Sequence, residues 1–335
     1  MNLGSGRLLL TRSREGWFGN STNYYFYASP RDPSLRSWQR PLWQLAILRA
    51  QARLSWFETI DFTRELSPQI TPFDISLNLG RCVSRRAFDF SPGIVARVLK
   101  SRDRSFDSHR IMTDLLNAFL SNGGELRTGS TVIRIDRGAV SDQQTTYRAR
   151  NVIVTAGRFL GQLSGVNVRI YKSPLLVVKP SIIDVNFVWM TMEMADTINH
   201  IHHRNGQGDY SLFGNAVYFP AEQSVNEHDV KRRFLDRAGR LLGQTLDLDR
   251  AALYFGYKTD VLSGQSLRNY QYHILNGRNC VVAVPGKMSL AFSLAVNVCR
   301  HYGVDPVAEL HTFADQGAAA TVSEPEHYKR FAALP

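Results

Sequence analysis

The chain has 335 residues, 44% of them hydrophobic and 11% aromatic, with 24 Gly and 13 Pro. This composition excludes disordered, collagen-like and low-complexity classes, and the length suits one large or two modest domains with a sizeable core. Lys and Arg number 40 against 29 Asp and Glu, a formal charge of +11, which favours acidic partners such as nucleic acid, anionic lipid or a phosphate-bearing cofactor.

Residues 1–33 read as irregular and rich in Gly, Ser, Asn and Tyr, with one short strand at 8–11. The aromatic run Tyr24, Tyr25, Phe26 and Tyr27 reads as packing under a loop, with a pocket wall as the other possibility. From 34 to about 60, Leu35, Trp38, Leu42, Leu45, Ala52 and Trp56 recur near helical spacing and predict a helix, with Pro41 as a kink or a second start. Two strand-like pieces, 75–79 and 82–90, flank Gly80. Asp107-Ser108 offers an N-cap. Ile111, Leu115 and Phe119 follow as a stripe, and Gly123-Gly124 gives a left-handed stop, so a helix is predicted between them.

Short β segments are expected at 125–127 and 131–135, and then a polar, turn-like stretch at 136–147. The run 149–157 is apolar and β-branched until it ends in Thr155-Ala156-Gly157, which suits a strand covered on both faces, as in a parallel sheet. Residues 168–220 read as a β-rich insert with strands at 168–170, 175–178, 181–185, 188–192 and 216–219. Asn226 caps a predicted helix reaching about 242, with Val230, Phe234, Ala238 and Leu241 on one face. A buried-type strand at 279–284 passes through Pro285-Gly286-Lys287-Met288 into a helix at 289–301, ended by Gly303. The Ala-rich tail beyond about 315 is expected to fray.

The three cysteines, Cys82, Cys280 and Cys299, are far apart and form neither a disulfide framework nor a zinc pattern. No apolar run approaches the ~20 residues of a membrane helix, and Leu8-Leu9-Leu10 is too short for a secretory signal core. A cytoplasmic protein without a membrane span is the expectation. The cations fall in short clusters, Arg81 with Arg85 and Arg86 and Lys231 with Arg232 and Arg233, which read as solvated surface. No nucleic-acid recognition motif accompanies them, so no specific nucleic acid is expected.

Two strand-to-turn junctions can carry chemistry. In Val152-Ile153-Val154-Thr155-Ala156-Gly157, small residues just past a strand let another body approach the backbone, and ligands of open α/β sheets lie beyond carboxyl strand ends. In Val284-Pro285-Gly286-Lys287-Met288-Ser289, a strand runs through a glycine turn into a helix whose amides and positive dipole end favour an anion or a carbonyl oxygen. Each also reads as a plain structural element: a tight turn, and a helix capped by Ser289 beside a surface lysine. His200, His202 and His203 lie close enough to suggest a metal, but without a fourth ligand they read as a polar loop. No G-x-S-x-G surrounds Ser21, Ser164 or Ser289.

The order of pieces resembles the FAD-dependent oxidoreductases of the D-amino-acid oxidase and glycine oxidase type, chiefly over residues 90–303 and best at 151–157 and 285–291. The resemblance implies an α/β fold with an FAD/NAD(P)-binding Rossmann-like domain and a β-rich substrate domain. It divides the chain into 1–165 (incomplete FAD-binding domain with an interleaved helical segment), 166–275 (substrate domain) and 276–335 (return to the FAD-binding domain). It implies FAD as cofactor and a small-molecule substrate. Val132, Ala156 and Gly157 would lie on the adenine side, and Gly286, Lys287, Met288 and Ser289 on the flavin side. Tyr257, Lys258 and Arg268 would face the substrate, although as surface groups of a basic protein they need no such role. The loop 19–23 would lie near the flavin, or else be a polar surface loop.

The family opens with a strand and a G-x-G-x-x-G turn. Here Gly4-Ser5-Gly6 matches only its first two glycines, and Leu9 stands in the third place. The expectation is a chain that begins after that unit or has lost its pyrophosphate site. The function implied is oxidation of a C–N or C–O bond of a small polar substrate. The rival is a degenerate or truncated relative acting as a scaffold.

Overall fold

The computed structural model describes residues 23–32, 35–58, 79–83, 88–101, 105, 107–193, 196–205, 208–261, 272–286, 291–304 and 322–335. Expectations for the strand at 8–11, the loop 19–22, Arg268 and residues 287–290 fall outside these. Fifteen strands are named in chain order: β1 Asn23–Ala28, β2 Leu79–Val83, β3 Val95–Ser101, β4 Arg134–Asp136, β5 Ala139–Ser141, β6 Thr146–Arg148, β7 Ile153–Val154, β8 Val168–Val178, β9 Asn186–Met190, β10 Ile198–Asn205, β11 Gly208–Asn215, β12 Phe219–Pro220, β13 Ala251–Val261, β14 His273–Gly277 and β15 Cys280–Val284. The helices are α1 Gln39–Glu58, α2 Ser108–Ser121, α3 Leu160–Ser164, α4 Glu227–Leu242, α5 Ala291–His301 and α6 Glu326–Ala332.

A large mixed sheet dominates, in the order β12-β8-β11-β10-β9-β1-β3-β2, with β13 along the other edge of β8. It draws strands from both sides of residue 165. Strand alternation gives it two faces. One face carries Phe26, Phe187, Trp189, Phe213, Leu176 and Leu253, which pack with Phe234, Leu235, Ala238 and Leu241 of α4 into the main core. Asn226 caps α4 by accepting from the Asp229 amide, as its sequence predicts. On the opposite face Val177 and Tyr210 pack against Phe331 of α6. The tail therefore docks where fraying was expected: the Phe331 ring stacks 4.6 Å from that of Tyr210, and Lys179 donates to the Leu334 carbonyl at 3.0 Å.

Several expectations change. Residues 23–28 are not irregular. They form an interior strand, parallel to β9 and antiparallel to β3, so the aromatic run is core of the sheet. The stretch 136–147 is a meander, β4-β5-β6, built on two tight turns. Gly80 lies inside β2 rather than between strands. The segment holding His200, His202 and His203 is not a loop but β10, an interior strand. Strands expected at 168–170 and 175–178 are one, β8, running through Pro174. On one edge β12 pairs with residues 171 and 172 and β11 with 175–178, so Pro174 sits in the gap between two partners, where its missing N–H costs no ladder bond. The predicted helix at 108–122 is α2, capped by the Asp107 carboxylate on the Arg110 amide and followed by Gly123 at φ +81°.

A second, small sheet is β14-β15-β7, and its β7–β15 pair is parallel. Val154, Val282, Val284, Ile135 and Leu160 form its core.

Candidate functional site

The two junctions singled out in the sequence come together. β7 and β15 are parallel neighbours, with Ile153 opposite Val281 and Val154 opposite Val282, and the Val281 amide donates to the Val152 carbonyl at 2.9 Å. Their carboxyl ends therefore leave the sheet on the same side, one into Ala156-Gly157 and the other into Pro285-Gly286. Both glycines have left-handed backbones, at φ +53° and +63°, a conformation that a β-carbon penalises. Around Gly157 nothing lies within 4 Å of where a β-carbon would stand, so this strand end opens onto free space. Val132 and Ala156 pack on the same small-sheet core, which brings two of the three adenine-side candidates onto one apolar floor. The third, Gly157, is the open end of that floor.

Past Gly157 the chain makes a single 3-10 turn, Gly157–Phe159, before α3. The Arg158 guanidinium lies 4.9 Å from the Tyr257 ring centre and 4.8 Å from that of Phe159. This contact joins the exit of β7 to β13. Because successive side chains on a strand point to opposite faces, Tyr257 and Lys258 diverge. Tyr257, 48% exposed, faces Arg158. Lys258 stands on the face that carries α6. There its ammonium lies 4.5 Å from the Tyr218 ring centre and donates to the Tyr218 hydroxyl at 3.4 Å. Tyr171, paired with Lys258 in register, has its ring 6.2 Å from Tyr218. Arg169 donates to the Tyr171 hydroxyl at 2.9 Å.

A cationic and phenolic group of four side chains thus forms on one sheet face. Of these, the sequence alone singles out only Lys258. The signal for Arg169 and Tyr171 was their alternation with Val168, Ile170 and Lys172 along β8, which the supposed break near Pro174 concealed. Tyr218 precedes a two-residue strand and carried no signal.

The histidines are structural in geometry. His200 is buried between the rings of Phe187 and Phe213. Its Nδ1–H donates to the Val185 carbonyl at 2.9 Å, so Nε2 accepts from the Ser211 hydroxyl at 2.7 Å. Burial drives its pKa down to about 3. His203 stacks on Tyr210 and lies 5.0 Å from His327 of α6. Burial lowers both of these histidines to about 4.

A parallel strand pair with glycine-softened carboxyl ends, joined to a broad mixed sheet, defines a Rossmann-like nucleotide-binding fold with a β-rich partner sheet. The sequence profile of the FAD dependent oxidoreductase family (DAO) matches residues 25–268, and the chain belongs to that family, whose cofactor is FAD. Among curated proteins no sequence matches this chain. Solved structures with the same fold include NikD, an amino acid oxidase of nikkomycin biosynthesis, at 15% identity over 89% of this chain and 77% of that one, TM-score 0.60. Glycine oxidase from Geobacillus kaustophilus matches at 12% identity over 95% and 82%, TM-score 0.58. L-α-glycerophosphate oxidase from Mycoplasma pneumoniae, a structure with FAD bound, matches at 13% identity over 87% and 75%, TM-score 0.56.

The residues present fit this cofactor at the paired strand ends, where two glycines hold left-handed backbones and one opens onto free space. They differ from the family pattern in one element, since the 335 residues contain no G-x-G-x-x-G. Among the described residues no helix is long and apolar enough to cross a membrane.

Proposed function

We propose that this protein is a FAD-dependent oxidoreductase that oxidises a C–N or C–O bond of a small polar substrate bearing a carboxylate. The observation that carries the reading is the parallel β7–β15 pair, which sets the strand ends at Gly157 and Gly286 side by side. Val132, Ala156 and Gly157 would hold the adenine side of FAD, and Gly286, Lys287, Met288 and Ser289 the flavin side. When bound, FAD supplies the two-electron acceptor. The protein's own part is orientation. The Lys258 ammonium would take the substrate carboxylate through a charge-assisted bond. The Tyr218 and Tyr171 hydroxyls would bound the polar end and keep the reacting C–H bond turned away from the anchor. Arg268 would be a second candidate for holding that carboxylate. Tyr257 would act indirectly, by seating Arg158 and so fixing where the chain leaves β7. No side-chain acid or base is required when the amine arrives neutral, because the protein then only has to present the C–H bond. The free Cys280 and Cys299 thiols fit a reducing, cytoplasmic location. The scaffold alternative draws no support from the family match or the shared fold.

The test is anaerobic flavin reduction in FAD-loaded protein by a panel of amino acids, amines and 2-hydroxy acids. At least one carboxylated member should bleach the flavin. Lys258→Met should raise the half-saturating concentration roughly 30- to 100-fold, the loss expected for one charge-assisted bond. Bleaching by uncharged amines alone, or an unchanged half-saturation in Lys258→Met, would refute the carboxylate anchor.

A further inference from the structure

Arg158 is the first residue beyond Gly157, in the 3-10 turn by which the chain leaves β7. It is exposed, and its guanidinium is held by two rings, 4.8 Å from the centre of Phe159 and 4.9 Å from that of Tyr257. Those rings are themselves 51% and 48% exposed, so the clamp stands in the open rather than inside a core. Four other arginines are neutralised by carboxylates: Arg127 by Glu125, Arg134 by Asp136, Arg240 by Asp32 and Arg330 by Glu326. Arg158 has no carboxylate partner among the described residues. A second cation flanks Tyr257. Lys172 is its register partner across β8 and β13, and the Lys172 ammonium lies 5.3 Å from the Phe255 ring centre. Directly paired residues share a sheet face, so Lys172 adds its charge on the face where Arg158 lies.

A guanidinium stacked on rings keeps its N–H edge free, and that edge matches two oxygens of a phosphate. The clamp also removes rotamer freedom that an unheld arginine would lose on binding. Position then selects the anion. Gly157 ends β7 and Gly286 follows β15, on parallel neighbours about 4.8 Å apart. In the dinucleotide reading the first is the adenine side and the second the flavin side, and FAD carries its pyrophosphate between those two halves. We propose that Arg158, clamped by Phe159 and Tyr257, binds the pyrophosphate of FAD through its guanidinium fork. Its full charge supplies the positive potential that helix-start amides supply in a G-x-G-x-x-G turn, a motif these 335 residues do not contain. A substrate carboxylate is the other anion at hand. It belongs with the reacting carbon at the flavin ring, whereas Arg158 leaves the strand end on the adenine side. The inference rests on the dinucleotide reading of β7 and β15 and not on the Lys258 anchor.

The experiment is a titration of the flavin-free whole protein with FAD, with ADP as competitor because it brings a pyrophosphate without the flavin. Arg158→Leu should weaken FAD binding at least ~10-fold, the loss of one bidentate charged contact, and ADP should lose a similar factor. Arg158→Lys keeps the charge without the fork and should recover part of that loss. Thermal unfolding of the ligand-free variants should not move, because Arg158 and both its rings are exposed. FAD binding that saturates equally well in Arg158→Leu would overturn the assignment and leave the dinucleotide reading standing. Weaker FAD with unchanged ADP would put the effect on the flavin half and overturn it too. Unchanged FAD and ADP with a raised half-saturating concentration of a carboxylated substrate would assign Arg158 to the substrate instead. Absence of saturable FAD binding by the unaltered protein would sink the dinucleotide reading and this assignment together.

Discussion

The two sheets of this protein are held in place by very different amounts of structure. The large sheet buries aromatic rings on one face under α4 and docks α6 on the other, and its interior strands are paired along both edges. The small sheet rests on two small buried groups, one of Val154, Val282, Val284, Ile135 and Leu160, the other of Ala283 with Leu294 and Val298 of α5. Its third strand is two residues long, and Ile153 within it is 46% exposed. Only one edge of β7 is paired among the described residues. The contrast teaches that the large sheet is specified by its own packing. The strand ends that would hold a dinucleotide depend on few contacts and stand to gain most from a ligand.

The sharpest way to break this contrast is truncation in each core. Phe213→Ala leaves a cavity beneath the His200 ring and should cost about 3–5 kcal/mol of global stability in denaturant unfolding. A cost below about 1 kcal/mol would show that the large sheet is not the stability centre. Acid should act next, and also on the large sheet. His200, His203 and His327 are held neutral by burial, with native pKa values near 3, 4 and 4 against 6.5 when unfolded. Between those values the unfolded chain binds protons that the native state refuses, so stability is complete above about pH 6.5 and falls towards pH 4. The unfolding midpoint should drop by on the order of 10 °C between pH 7 and pH 4.5. His203→Gln with His327→Gln should flatten that slope, and a slope unaltered by both changes would remove α6 docking from the explanation.

Smaller effects belong to the small sheet. Val282→Ala should cost about 2 kcal/mol, visible less in global unfolding than in faster amide exchange at β7 and β15. Equal protection of β7 and β8 amides would erase the distinction between the two regions.

Much of this organisation was legible in the sequence because it rests on local rules. The α4 and α2 caps follow from Asn226 and Asp107, and the two junctions follow from glycine after β-branched runs. What stayed hidden depended on tertiary partners. The sequence Tyr24-Tyr25-Phe26-Tyr27 has no polar alternation because β1 is interior and needs none. His200 and His203 look like solvent-facing groups until β9, β11 and α6 cover them. Trp38, Leu42 and Leu45 announce a helix correctly, but periodicity cannot tell that Trp43 and Ile47, not they, meet the core. Tyr257 and Lys258 are neighbours in sequence, and only the pleat of β13 separates their roles.

The most direct measurement is a titration of the cofactor-free protein with FAD, followed by quenching of flavin fluorescence, in parallel with Gly157→Val. The paired strand ends predict saturable binding by the unaltered protein and at least ~10-fold weaker binding by the variant, whose β-carbon and branched side chain oppose the left-handed turn. Binding that never saturates, or that is equally tight in Gly157→Val, would contradict the dinucleotide slot at β7 and β15.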